Sequence, residues 1–259
     1  RGEGERAMLV SRERAYHGVN MGGTALSGMV RNRDSFGIGL PGVVHMRHTW
    51  RAENRYVMGQ AQNGADLAED LLRAVQTYGA KRIAACFVEP IAGSTGVLVP
   101  PLGYLERLRE ICDRYGILLV FDEVICGFGR TGKAFAAQSF GVMPDILTMA
   151  KALTNGAQPM GAVAFTDRVH DTIINAADAD GVEFFHGYTF SAHPAACAAA
   201  IATAEIYRRE NLFIYGQSLA PHFLDAVAGL ADLKSITDIR GYGLLAGLDL
   251  AMAAKPGVS

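Results

Sequence analysis

The chain alternates short, continuously apolar runs with longer stretches whose apolar residues recur at helical spacing. RIAACFV (82–88), ILLVF (117–121), ILTMA (146–150) and GAVAF (161–165) are apolar throughout instead of at every second position. That is the pattern of strands covered on both faces. RAMLVSRERA (6–15) reads as a further strand with charged neighbours. Leu67, Leu71, Leu72 and Val75 fall on one helical face between Asp66 and Tyr78, with Asp66 placed as the N-cap. An amphipathic helix is expected over 104–115, after a double proline, and Asp167 opens a short one. Gly18 to Gly42, rich in glycine and asparagine, reads as loop. Strands alternating with helices predict an α/β fold with a mostly parallel sheet flanked by helices. The character changes near residue 194. An alanine-rich helix (194–209), a second helix (212–230) and two strands turning on Gly241-Tyr242-Gly243 follow. The expected division is therefore 1–193 and 194–259.

Composition narrows the partners. The 259 residues are half hydrophobic and carry a net charge of −2, enough for a sizeable core, with nothing to attract nucleic acid or a membrane surface. Cys86, Cys112, Cys126 and Cys197 have no metal-ligand spacing, and Cys86, Cys112 and Cys197, in apolar segments, suit reduced, buried thiols in a cytoplasmic protein. The charged opening RGEGER does not resemble a signal peptide, and the longest apolar run, 194–204, is too short to span a bilayer.

Candidate chemistry gathers between residues 117 and 151. One apolar run ends at Asp122-Glu123 and the next at Lys151. In open α/β sheets ligands bind beyond the carboxyl ends of strands, so two strand ends each delivering an ionisable group predict opposite ends of one ligand. The intervening GFGRTG (127–132) matches GxGxxG and nearly matches a phosphate-cradling loop. Against that reading, residue 134 is Ala where a Mg²⁺-binding hydroxyl belongs, and five residues separate the strand from Gly127. Lys151, following an apolar run, is expected in a cleft, where a desolvated amine is a usable nucleophile; alone it reads equally as a strand-end lysine reaching solvent. Asp122 could hold the pyridinium nitrogen of pyridoxal phosphate, or cap a loop.

FDEVICGFGRTGKAFAAQSFGVMPDILTMAKAL (121–153) resembles the signature of the class III pyridoxal-phosphate aminotransferases. The resemblance extends through AYHG (15–18), VEPIAGSTGV (88–97), HGYTFSAHPAACAAA (186–200) and DIRGYGLLAGLDL (238–250). RGEGERAMLVSRERAYHG, MAKALTNGAQPMGAV and GYTFSAHP bring it nearest to the ω-amino acid:pyruvate (β-alanine:pyruvate) group. It implies the large domain of a fold-type-I transferase plus the start of a small α+β domain. It also implies pyridoxal 5′-phosphate as cofactor, and amino transfer from an ω-amino acid or amine to pyruvate.

By the same resemblance Lys151 forms the Schiff base and then carries the proton, and Asp122 pairs with the ring nitrogen. Val124 and Tyr16 cover the two faces of the ring. Thr189 reaches the phosphate held by the neighbouring subunit, which makes the site a property of a homodimer or tetramer. Glu89 lies near the cofactor's phenolic side or the substrate carboxylate, unless it is only a cap. His17 accompanies Tyr16 in the YHG motif as a cofactor-binding position with no specific role, and a structural histidine fits it as well. Arg130 faces the site entrance or braces its loop. The family's N-terminal phosphate-holding loop and C-terminal carboxylate-binding arginine have no counterpart in 1–259, so a chain of this extent is expected to aggregate and be inactive alone. An aminomutase or decarboxylase on the same scaffold, an inactive fragment, and a nucleotide-binding module using GFGRTG remain as alternatives.

Overall fold

The computed structural model describes residues 2–37, 39–177, 181–182 and 184–251; the last eight residues of the 194–259 segment lie outside them. Six strands form one sheet in the order β2-β1-β3-β4-β5-β6: β1 (Met8–Arg12), β2 (Val43–Met46), β3 (Ile83–Val88), β4 (Leu118–Asp122), β5 (Ile146–Met149) and β6 (Ala162–Phe165). All neighbours pair in parallel except β5 and β6. The apolar runs at 82–88, 117–121 and 146–150 thus become central strands, as their lack of alternation predicts, whereas GAVAF becomes the antiparallel edge strand β6, with Val163 and Phe165 exposed. VVHM (43–46) was not foreseen as a strand; it occupies the sheet's edge, where only one neighbour is needed.

Helices α1 (Met21–Leu26) and α2 (Val30–Phe36) stand where the sequence reads as loop. Asn20 explains the first: its side-chain oxygen accepts the N–H of Gly23 at 2.6 Å, an N-cap that outweighs the poor helix propensity of Gly22 and Gly23. Asp66 is not the cap expected of it. Its carboxylate pairs with Arg51, and a single-turn helix (Ala65–Ala68) precedes α3 (Glu69–Tyr78), whose N-cap is Ala68.

The core forms where α3 and α4 (Tyr104–Tyr115) meet the sheet. Leu105, Leu108, Ile111 and Cys112 of α4 share one face and, with Leu71 and Val75 of α3, cover Ile83, Cys86, Leu119 and Phe121. Gly116 ends α4 in the left-handed region (φ 65°), its N–H closing on the last turn. Beyond lie α5 (Ala136–Phe140), α6 (Asp167–Asn175), α7 (Pro194–Arg209) and α8 (Leu212–Ala228). No helix of the described residues is long and apolar enough to cross a membrane.

A two-stranded antiparallel sheet of β7 (Ile236–Tyr242) and β8 (Leu245–Leu250) closes the chain. Buried charge fastens it to the larger sheet's loops. Arg240 donates to the Gly96 carbonyl (2.7 Å), to Asp238 (2.6 Å) and to Asp249 (2.7 and 3.0 Å). Asp238, 1% exposed, also accepts from the Trp50 indole (3.0 Å) and the Tyr56 backbone N–H (2.8 Å). Removing one member of such a group strands the other charge in a low-dielectric site. Arg240→Ala is therefore expected to cost about 3 kcal/mol or more of stability, measured as a lowered urea midpoint; an unchanged midpoint would contradict this account.

Candidate functional site

Parallel pairing sends the chain out of β1, β3, β4 and β5 at one edge of the sheet, and five of the expected residues lie at those exits. Tyr16 and His17 come after β1, Glu89 after β3, Asp122 ends β4, and Lys151 follows β5. Asp122 faces Thr148 across the β4–β5 pairing, which sets Lys151 only a few residues beyond its level on the adjacent strand.

Asp122 is the best defined of them. Its Oδ2 lies 2.8 Å from His17 Nδ1 and its Oδ1 accepts the Val124 N–H at 3.1 Å. An ionised carboxylate only accepts, so Nδ1 carries the hydrogen and donates. His17, its side chain 4% exposed, therefore fixes the carboxylate's orientation, while its buried Nε2 meets no partner among the described residues. Each carboxylate oxygen keeps a free lone pair for a third donor. Beside the pair opens a cavity of about 800 Å³ whose lining includes His17, Phe87, Asp122, Val124, Ala150 and Tyr188.

Among the described residues that lining includes neither Tyr16, Glu89, Lys151 nor Thr189. Glu89 is 3% exposed and turned inward: its carboxylate accepts the backbone N–H groups of Tyr16 (2.9 Å) and Gly93 (3.0 Å). These bonds brace the YHG segment, and burial raises the carboxyl's pKa, the two N–H donors opposing. Tyr16 is half-buried, and Thr189 is exposed in a loop whose His186, Tyr188 and Ser191 do line the cavity. Lys151 is exposed, not enclosed as its apolar approach suggests. The chain leaves β5 at Met149, and Lys151 starts a single-turn helix (Lys151–Leu153) with a left-handed backbone (φ 50°) that carries it out of the sheet.

GFGRTG has a packing role. Gly129 and Gly132 approach Phe213 and Gln217 of α8, and the Arg130 carbonyl accepts the Leu244 N–H of the β7–β8 turn at 2.8 Å. Gly243 of that turn (φ 61°) lies so close that a Cβ would sit 2.6 Å from the Arg130 oxygen.

Glu123 had no role in the sequence reading. Strand alternation puts it on the face opposite Asp122, fully buried, where it accepts the N–H groups of Ala136 (2.6 Å) and Ala137 (2.8 Å) at the start of α5. The signal was available: adjacent carboxylates at a buried strand end cannot share a partner. Phe87 is a second omission, recoverable from alternation on β3.

Burial, with a smaller push from Asp122 and opposed by the two N–H donors, raises Glu123 from an ordinary 4.5 to about 7. The folded chain then holds this proton more tightly than the unfolded one. Its contribution to stability is full below about pH 4.5, declines as pH rises to about 7 and is constant above. Urea titrations should show stability falling from pH 5 to 7 in the parent relative to Glu123→Gln; parallel pH profiles would refute the assignment.

The profile of the family "Aminotransferase class-III" matches residues 1–257. The chain is 53% identical over 251 residues to the omega-aminotransferase of Caulobacter vibrioides, covering 96% of this chain and 57% of that protein. It is 48% identical to the beta-alanine–pyruvate aminotransferase of Pseudomonas aeruginosa, covering 97% and 56%. Among solved structures, an (S)-enantioselective omega-transaminase from Thermomicrobium roseum superposes with a TM-score of 0.88 at 36% identity, over 96% of this chain and 55% of that one. The chain thus spans little more than half the length of the curated relatives it matches.

Proposed function

Since this chain belongs to the class III aminotransferase family, we propose that its cavity takes pyridoxal 5′-phosphate and serves amino transfer from an ω-amino acid or amine, such as β-alanine, to pyruvate. The observation that carries this reading is the Asp122 carboxylate, oriented by His17 and Val124 toward a cavity of cofactor size. Its unused lone pairs, in a cavity that Val124 and Phe87 also line, fit a flat protonated heterocycle.

Bound there, the cofactor would supply an electron-withdrawing ring that labilises the proton on the amine-bearing carbon of the substrate. Asp122 would keep the ring nitrogen protonated, and His17 would stop the carboxylate from turning away. Val124 would cover one face of the ring. Tyr16, its backbone N–H held by Glu89, is proposed for the other, reached by rotation of its half-buried side chain. Lys151, exposed at the adjacent strand end, would bind the cofactor covalently and later move the proton at the substrate carbon.

Thr189 is proposed to reach the phosphate of a second copy in a homodimer or tetramer. Supporting that, Phe185 (86% exposed), Tyr188 (75%) and Phe190 (77%) stand bare around it, an apolar surface of the kind that marks an interface. In the same reading 1–193 is the cofactor-binding part, 194–259 begins the small domain, and the free thiols suit a cytoplasmic protein.

The test is spectroscopic and chemical. The protein with pyridoxal phosphate should show a visible band that borohydride fixes and Lys151→Ala abolishes. Asp122→Asn should keep the band but lower turnover on the order of a hundredfold or more. Alanine should accumulate from β-alanine plus pyruvate; its absence, with the band intact, would favour an aminomutase or decarboxylase on this scaffold.

A further inference from the structure

We propose that Tyr207, on α7, is a positioning residue for Lys151: its hydroxyl holds the Ala152 carbonyl and so fixes the turn from which the lysine projects. The inference rests on the reading of Lys151 as the cofactor-binding amine.

The turn needs holding. Lys151 (φ 50°) and Asn155 (φ 51°) both adopt left-handed backbone conformations, which disfavour residues carrying a Cβ. Such conformations persist only where surrounding contacts over-determine them. Three of the turn's own hydrogen bonds are long: Thr154 N–H to Lys151 O, Asn155 N–H to Ala152 O and Gly156 N–H to Lys151 O are each 3.3 Å. The shorter ones, Leu153 N–H to Ala150 O (3.1 Å), Ala157 N–H to Thr154 O (3.0 Å) and Thr154 Oγ1 to Gln158 O (2.5 Å), tie the segment only to itself and its immediate neighbours. Among the described residues, the one hydrogen bond that joins 151–157 to a residue beyond 150–158 runs from Tyr207 Oη to Ala152 O, at 2.7 Å.

The donor is itself anchored. The Tyr207 ring stacks on Phe128 (centroids 6.0 Å apart, planes at 29°) and packs on Phe213 (5.3 Å, 34°); Phe128 in turn meets Phe135 edge-on at 5.2 Å. Phe128 is the second residue of GFGRTG, so that loop forms the seat of the tyrosine ring. Burial raises the phenol's pKa, Arg130 opposing, and the hydroxyl stays protonated and able to donate. The fold thus ties a residue of the second segment to the strand end of the first, alongside the α7 contact with the Lys151 turn.

Tyr207→Phe separates this role from simple packing, because it keeps the ring and removes only the hydroxyl. In the cofactor-free full chain, amide exchange at 153–157 should quicken about fivefold, the loss of one hydrogen bond, with exchange in β3 and β4 unchanged. With pyridoxal phosphate bound, kcat should fall by a similar factor and the KM for the amino donor should not change. Exchange at 153–157 within twofold of the parent would overturn the inference, as would faster exchange with unaltered kcat. Lys151→Ala separates the two readings. If it retains the visible band, the assignment of Lys151 fails and the positioning role falls with it. If it loses the band while Tyr207→Phe leaves exchange and kcat unchanged, only the role of Tyr207 fails.

Discussion

A parallel sheet releases all its strands at the same edge, and β1, β3, β4 and β5 use that geometry to gather residues more than a hundred positions apart. The hydrogen bond between His17 and Asp122, which spans 105 residues, exists only because both strand ends arrive together. Register matters as much as direction. A one-residue slip of β4 would exchange Asp122 and Glu123, turning the core's helix-capping carboxylate toward the cavity and the cavity's carboxylate into the core. Each acid is correct only on its own face, so pairing of backbone groups decides where the chemistry is.

The central strands and long helices are legible because burial on both faces leaves an uninterrupted apolar run, and because α4 and α7 carry helical spacing with clean ends. The bounds of 104–115 and 194–209 agree between sequence and structure. Residues 18–42 were not legible. α1 depends on a single cap at Asn20 and on packing against β1 and β2, and α2, which has no side-chain cap, on packing against α1, none of which propensity reports. Asp66 misled for a related reason: a cap and an ion-pair partner look alike in sequence, and Arg51 claimed it.

The site was legible as strand ends and less so as side chains. Asp122 and Val124 line the cavity, and the resemblance to a known family had named both. Glu89, named with them, instead spends its acceptors on backbone N–H groups, a choice that depends on where residues 16 and 93 come to rest. Lys151 follows an apolar run yet stands exposed, because one left-handed residue redirects the chain. Hydrophobic periodicity averages over several residues and is blind to one dihedral angle.

The reversal between β5 and β6 has a mechanical corollary. The antiparallel ladder runs up to Met149 paired with Ala162, so the segment carrying Lys151 leaves and re-enters the sheet at neighbouring points. With both feet clamped to one ladder, it behaves as a short arch and not as a swinging loop. Held at both feet by the ladder and near its start by the Tyr207–Ala152 hydrogen bond, the arch leaves the lysine's own methylene chain as the main source of any travel of its amine.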